Sequence, residues 1–270
     1  MTGTTGKAAA IGVFDSGVGG LTVLKEIVRL LPNEDIIYLG DTARVPYGSK
    51  PRSIVVQYAL EDAGYLRRRG VKAMVVACNT VCAQAMAELK AELDVPVIGM
   101  IEPAARAAVA LTRRKAIAVI GTEGTVNSGV YPRTIKGLDS GIDVFSQACP
   151  LFVPVVEEGL FEGEIPRQVV ALYLAGLKAK PADVLILGCT HYPLLKPVIA
   201  DYLGPGITPL DPAVAVAREL EQQLARGGLR RDGGKGSRRF YFTSDPRKAE
   251  VIMHHLGLKA DSLEVADLAG

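Results

Sequence analysis

At 270 residues with 49% apolar side chains, the chain has enough material to bury a large core without disulfides. Its 31 basic and 29 acidic residues leave a formal charge of +2, which excludes the strongly basic balance that holds nucleic acid by neutralising phosphates. The most apolar windows, 71–77 and 182–187, are strand-length and fall far short of the ~20 residues that span a bilayer, so no membrane segment is expected.

Short β-branched runs alternate with stretches whose apolar residues recur at helical spacing, a pattern that predicts α/β architecture built from parallel βα units in three layers. The first strand, 10–14, runs into the glycine-rich turn Asp15-Ser16-Gly17-Val18-Gly19-Gly20 and a helix over 21–31. The second strand, 35–39, leads to Asp41-Thr42, the turn Pro46-Tyr47-Gly48-Ser49 and a helix over 52–69; the third, 73–77, leads to Cys78-Asn79-Thr80 and a helix over 81–93. Further strands are predicted at 95–98, 116–120, 143–145, 184–187 and 239–243, with helices at 103–113, 167–177, 212–225 and 246–256. Asp211-Pro212 and Asp245-Pro246 place a capping carboxylate before a helix start, and Arg67 to Arg69 before Gly70 complement a helix C-terminus. The five glycines and basic residues of 227–239 predict a mobile surface loop.

Two segments echo each other: Val75-Val76-Ala77-Cys78-Asn79-Thr80 and Leu185-Ile186-Leu187-Gly188-Cys189-Thr190-His191. Loops at the carboxyl ends of parallel strands form ligand crevices, and a thiol at the start of a following helix has its thiolate favoured. Inverting a stereocentre by proton transfer requires one group to remove the proton from one face while another delivers a proton to the opposite face, and two thiols in one crevice fit that need. The competing reading is that cysteines ending apolar strands are core, which is the expectation for Cys82 and Cys149. A zinc site from Cys78, Cys82, Cys189 and His191 lacks the ligand spacing of known zinc sites, so no metal is expected.

The other polar clusters each carry two readings. Asp15 is either part of an anion-binding turn or a helix cap; the turn lacks the lysine of a phosphate loop. Glu157 and Glu158 are either a solvated helix edge or include one buried acid tuned for proton traffic. His191 either assists the neighbouring thiol near neutral pH or is structural. The four cysteines are not regularly spaced and no charged leader precedes the first core-like segment, which predicts a reducing, cytoplasmic setting.

Taken together, Asp15-Ser-Gly-Val-Gly-Gly-Leu-Thr, Gly40-Asp-Thr-Ala-Arg-Val-Pro-Tyr-Gly, Ala77-Cys-Asn-Thr, Ile101-Glu-Pro, Gly121-Thr-Glu-Gly-Thr, Pro154-Val-Val-Glu-Glu-Gly and Leu187-Gly-Cys-Thr-His-Tyr-Pro-Leu resemble, in order and over nearly the whole chain, the glutamate racemase family. The resemblance implies a cofactor-independent enzyme of two three-layer α/β domains, 1–99 plus 211–270 and 100–210, holding glutamate in the cleft between them and supplying D-glutamate for peptidoglycan. It implies that Cys78 deprotonates D-glutamate and Cys189 L-glutamate, with Asp15 assisting the first thiol and Glu157 and His191 the second. Asp15, Ser16, Tyr47, Gly48, Ser49, Asn79, Thr80, Thr125, Thr190 and His191 match substrate-binding positions, and a homodimer is implied. Val45 and Ala104 depart from residues usual in the family. An aspartate racemase, a related thiol isomerase or decarboxylase, and a noncatalytic binder remain rival readings, separable by turnover of aspartate against glutamate and by deuterium incorporation.

Overall fold

In the computed structural model, which describes residues 6–268, the apolar runs become strands covered on both faces. Every residue of β1 (Ile11–Asp15), β2 (Ile36–Gly40) and β3 (Ala73–Val76) is buried, as required where helices pack on both sides of a parallel sheet. They are followed by β4 (Val97–Gly99), β5 (Ala116–Gly121), β6 (Asp143–Ala148), β7 (Val184–Gly188), β8 (Thr208–Leu210), β9 (Arg238–Phe242) and β10 (Ser262–Val265). Among the described residues these strands form two sheets, ordered β10-β9-β2-β1-β3-β4 and β6-β5-β7-β8, and every pairing is parallel. The α/β expectation holds, with strands from both ends of the chain in the first sheet and the middle of the chain in the second.

All the predicted strands are present with shifted ends, but β8 and β10 escape the sequence pattern. Both are short edge strands, where Pro209 and exposed polar residues are tolerated because one side has no ladder to complete. The single helix expected over 81–93 is two, Asn79–Gln84 and Met86–Glu92, parted at Ala85, whose φ of −129° and ψ of 1° leave the helical range. Nothing in the local sequence marks that break. Four helices were also missing from the sequence pattern: Glu123–Asn127, Val130–Leu138, Phe152–Glu157 and Lys196–Leu203. The last three carry Pro132, Pro154 and Pro197 in their first turns, where the missing N–H has no intrahelical partner, so proline disguises these helices without breaking them.

The predicted caps form: Asp211 accepts from the Ala213 N–H at 2.9 Å and Asp245 from the Arg247 N–H at 3.0 Å. The arginine run ends the helix Arg52–Arg68, with Arg67 paired to Glu92 at 3.0 Å and Gly70 at a φ of +67°. The expected loop over 227–239 needs correction, because it is exposed but anchored. Glu34 accepts from the Arg231 N–H at 2.8 Å, Asp35 accepts from the Ser237 N–H at 2.6 Å, and Glu34 itself forms a buried ion pair with Lys72. Glycine-rich composition there serves close approach: a Cβ on Gly236 would sit 2.0 Å from the Glu34 carbonyl oxygen.

This topology positions a site. In the first sheet the chain leaves β1 for β2 on one side and β3 on the other, and in the second β5 is flanked by β6 and β7. At such reversals the loops diverge and leave a crevice beyond the strand ends. Asp15 and Cys78 lie at the ends of β1 and β3, and Thr122 and Cys189 at the ends of β5 and β7.

Candidate active site

The sequence echo becomes a spatial pairing. The Ala77 N–H bonds to the Phe14 carbonyl at 2.9 Å and prolongs the β1–β3 pairing up to Cys78, which caps Asn79–Gln84; Cys189 directly follows β7 and precedes the short 3₁₀ turn Tyr192–Leu195. Both thiols line one cavity. Its first-sheet wall includes Ser16, Tyr47, Gly48, Cys78, Asn79 and Thr80, and its second-sheet wall Thr122, Cys189, Thr190 and His191. The cavity has a volume of about 20 Å³. That holds roughly one water molecule, so any larger ligand requires the walls to separate.

Each thiol has its own polar neighbour. Cys78 donates to the Ser16 hydroxyl at 3.4 Å, and burial followed by the nearby Asp15 carboxylate pushes its thiol up. The expectation of a thiolate favoured by a helix start therefore fails for Cys78: the helix has six residues and the cost of burying charge outweighs its dipole. Cys189 Sγ lies 3.8 Å from His191 Nδ1, and His191 Nε2 lies 2.7 Å from Glu157 Oε1. Burial alone would pull His191 down, but its hydrogen bonds to Cys189 and Glu157 overcome this and hold the imidazole well above its ordinary value.

Asp15 stands between the two groups. It is fully buried, accepts from the Gly17 N–H at 3.0 Å and the Thr190 hydroxyl at 3.2 Å, and its carboxyl is raised by burial against the lowering effect of His191. Its hydrogen bonds thus run to Thr190, while Ser16 is the hydrogen-bond partner of Cys78. Glu157 is the acid facing the site, whereas Glu158 pairs with Lys248 at the surface at 2.7 Å. Cys82 is turned away, held between the Val76 carbonyl at 3.2 Å and the Met100 N–H at 3.3 Å, and burial pushes it up to about 12. Cys149 is buried and likewise pushed up by burial.

The remaining polar residues fall into supporting roles. Thr80 bonds to Thr122 at 2.9 Å and to Thr125 at 3.5 Å, so Thr125 backs the wall rather than lining it. Tyr47 donates to both Asp41 and Asp62, the latter at 3.1 Å, and this pins the turn that carries Gly48; Ser49 is exposed at the outer end of that turn. Sequence reading missed Thr122 and Tyr131. Thr122 had a signal, since a threonine immediately after an apolar strand is a natural helix cap, and it does accept from the Thr125 N–H at 3.2 Å. Tyr131, which donates to Asn79 at 2.7 Å, had none, because its helix was hidden by Pro132.

Two glycines permit the walls to meet. A Cβ on Gly19 would lie 2.4 Å from the Thr190 hydroxyl and 2.5 Å from His191 Nδ1, and one on Gly48 would lie 2.5 Å from the Thr122 Cβ. Only a residue without a side chain fits either place.

The raised His191 sets a pH dependence of stability. The native state binds this proton more tightly than the unfolded chain, so its contribution is fully present below the unfolded value of about 6.5 and declines as pH rises through the native one. Melting temperatures measured from acid to alkaline pH should show that His191→Asn removes this decline; an unchanged profile would contradict the protonated imidazole.

The chain matches the model of the Asp/Glu/hydantoin racemase family over residues 11–220. It is 50% identical over 236 residues to the glutamate racemase of Geobacter metallireducens, covering 87% of each chain. A crystal structure of a glutamate racemase isoform from Bacillus anthracis superposes with a TM-score of 0.93 at 42% identity, covering 97% of this chain and 98% of that one. The Francisella tularensis glutamate racemase, solved in complex with D-glutamate, gives a TM-score of 0.91 at 38% identity, with 97% and 98% covered. The chain therefore belongs to the Asp/Glu/hydantoin racemase family, and to the glutamate racemases within it.

Proposed function

We propose that this enzyme interconverts L- and D-glutamate without a cofactor, by a two-base proton transfer in which Cys78 and Cys189 serve opposite faces of Cα. The observation that carries this reading is that both thiols line one cavity, each with a separate polar partner. Glutamate as substrate is supported by the relatives, one of which is solved with D-glutamate bound.

The charge states suggest how a cycle begins. Burial keeps Cys78 a thiol, and His191 retains a proton between Cys189 and Glu157, so the cycle begins with Cys78 as the acid and Cys189 as the base. Cys189 takes the α-proton of L-glutamate, and the Cys78 thiol then delivers its own proton to the opposite face of the deprotonated carbon, forming D-glutamate and exchanging the two thiols' states. D-Glutamate is processed in reverse from the exchanged state. Asp15, inclined by burial to hold a proton and close to Cys78, assists at that thiol. Ser16, Tyr47, Gly48, Asn79, Thr80, Thr190 and His191 contact the substrate, with Thr125 backing Thr80; Ser49 enters only as the residue closing the Tyr47 turn. Donors aimed at the carboxylates disperse the charge that develops as the α-proton leaves.

Because the closed cavity is smaller than glutamate, the walls open for binding and close for reaction, excluding water from the weakly acidic centre. The moving parts are the domains 1–99 plus 211–270 and 100–210, a division supported by which strands share a sheet. On family likeness the enzyme is a cytoplasmic homodimer whose D-glutamate feeds peptidoglycan synthesis.

Circular dichroism of pure L-glutamate, with neither pyridoxal phosphate nor metal added, tests the activity. The signal should decay to zero with enzyme and persist without it, while L-aspartate under the same conditions stays unchanged; a glutamate signal that survives, or aspartate racemised as fast, would overturn the assignment.

A further inference from the structure

We infer that Tyr131 is a positioning residue for substrate binding: its hydroxyl, reaching across the closed cleft, fixes the Asn79 amide so that its donor end serves the cavity. This rests on reading that cavity as the glutamate site. Tyr131 comes from the helix Val130–Leu138, packed with the second sheet, and Asn79 from the helix that follows β3 of the first. The phenol donates to Asn79 Oδ1 at 2.7 Å, and both side chains are almost wholly buried, at 1% and 2% exposure.

The other end of the amide is the telling part. Asn79 Nδ2 is buried and has no hydrogen-bond partner, although Asn79 is a wall residue of the cavity. Buried donors are nearly always paired, so one left open at a cavity wall is completed by what enters the cavity. An amide can turn either end toward a ligand. If Asn79 flipped, its oxygen would face an anionic carboxylate and the Tyr131 hydroxyl hydrogen would lose its acceptor in a fully buried place. The hydroxyl therefore selects the orientation that offers N–H to a carboxylate. Because the bond links residues carried by different sheets, it forms only when the walls are together, and it ties donor orientation to closure.

The test is a double-mutant cycle read in steady-state racemisation of L-glutamate. Tyr131→Phe should raise KM about 5- to 10-fold with kcat changed by less than about threefold, the loss expected when one ground-state hydrogen bond is disordered. In an Asn79→Ala background the same substitution should raise KM by less than about twofold, because the two act as one unit. Asn79→Asp, which keeps an acceptor for Tyr131 but puts an oxygen where the donor was, should bind glutamate more weakly than Asn79→Ala, and this arm needs no change at Tyr131. Equal KM increases in both backgrounds, a loss confined to kcat, or Asn79→Asp binding as well as Asn79→Ala would each overturn the inference. A wild-type enzyme that leaves glutamate unchanged would instead remove the functional reading beneath it.

Discussion

Cys78→Ser and Cys189→Ser should each lower the rate of racemisation by about 10³-fold, within the range that a positioned acid or base contributes. Serine is the nearest replacement in shape and points a polar group the same way, toward Ser16 at position 78 and toward His191 at position 189. What it cannot do is exchange a proton near neutral pH, since a hydroxyl is far less acidic than a thiol of ordinary pKa about 8.5. The two variants should differ in what survives. With Cys78→Ser in deuterated water, Cys189 still removes the α-proton of L-glutamate and can return a deuteron to the same face, so L-glutamate slowly gains deuterium without inverting. Cys189→Ser should do the same to D-glutamate. Mass spectrometry of each recovered enantiomer reads both outcomes, and full racemisation by either variant would sink the two-thiol scheme.

His191→Asn should reduce kcat about 10²-fold, at the lower end of the same range, because asparagine, whose amide ends near the Nδ1 position, can neither reach Glu157 as Nε2 does nor hold a proton beside Cys189. The asymmetry of the loss is more informative than its size. The two enantiomers are equal in free energy, so kcat/KM must fall equally in both directions whatever the variant. The burden on one base appears in isotope effects instead. If transfer at Cys189 becomes the slow step, α-deuterated L-glutamate should show a large primary effect, whereas deuterium on D-glutamate, removed at Cys78, should show little. Matched isotope effects for the two enantiomers would mean that His191 does not serve Cys189 in particular.

Much of this was legible in the chain because the informative residues follow buried strands. β1, β3, β5 and β7 are apolar on both faces, so their ends are marked by the first polar residues, and Asp15, Cys78, Thr122 and Cys189 stand at those marks. The pairing of two strand-end cysteines was readable from the echo of their neighbourhoods. Less legible were features decided by tertiary packing. The protonation of Cys78 follows from burial beside Asp15, which no local pattern encodes, and the loop over 227–239 is anchored by Glu34 and Asp35 far away in sequence. Tyr131 was hidden twice, by a proline in its helix and by a partner more than fifty positions earlier. Edge strands β8 and β10 were lost because an edge relaxes the very pattern used to find strands.

The most direct test of the central claim is the position of the label during the first few per cent of wild-type reaction, starting from pure L-glutamate in deuterated water. Two bases on opposite faces predict that D-glutamate carries deuterium at Cα from the outset, while the remaining L-glutamate still carries protium. If newly formed D-glutamate retained the original protium, one group would be moving the same proton from face to face, and the two-thiol account would be wrong.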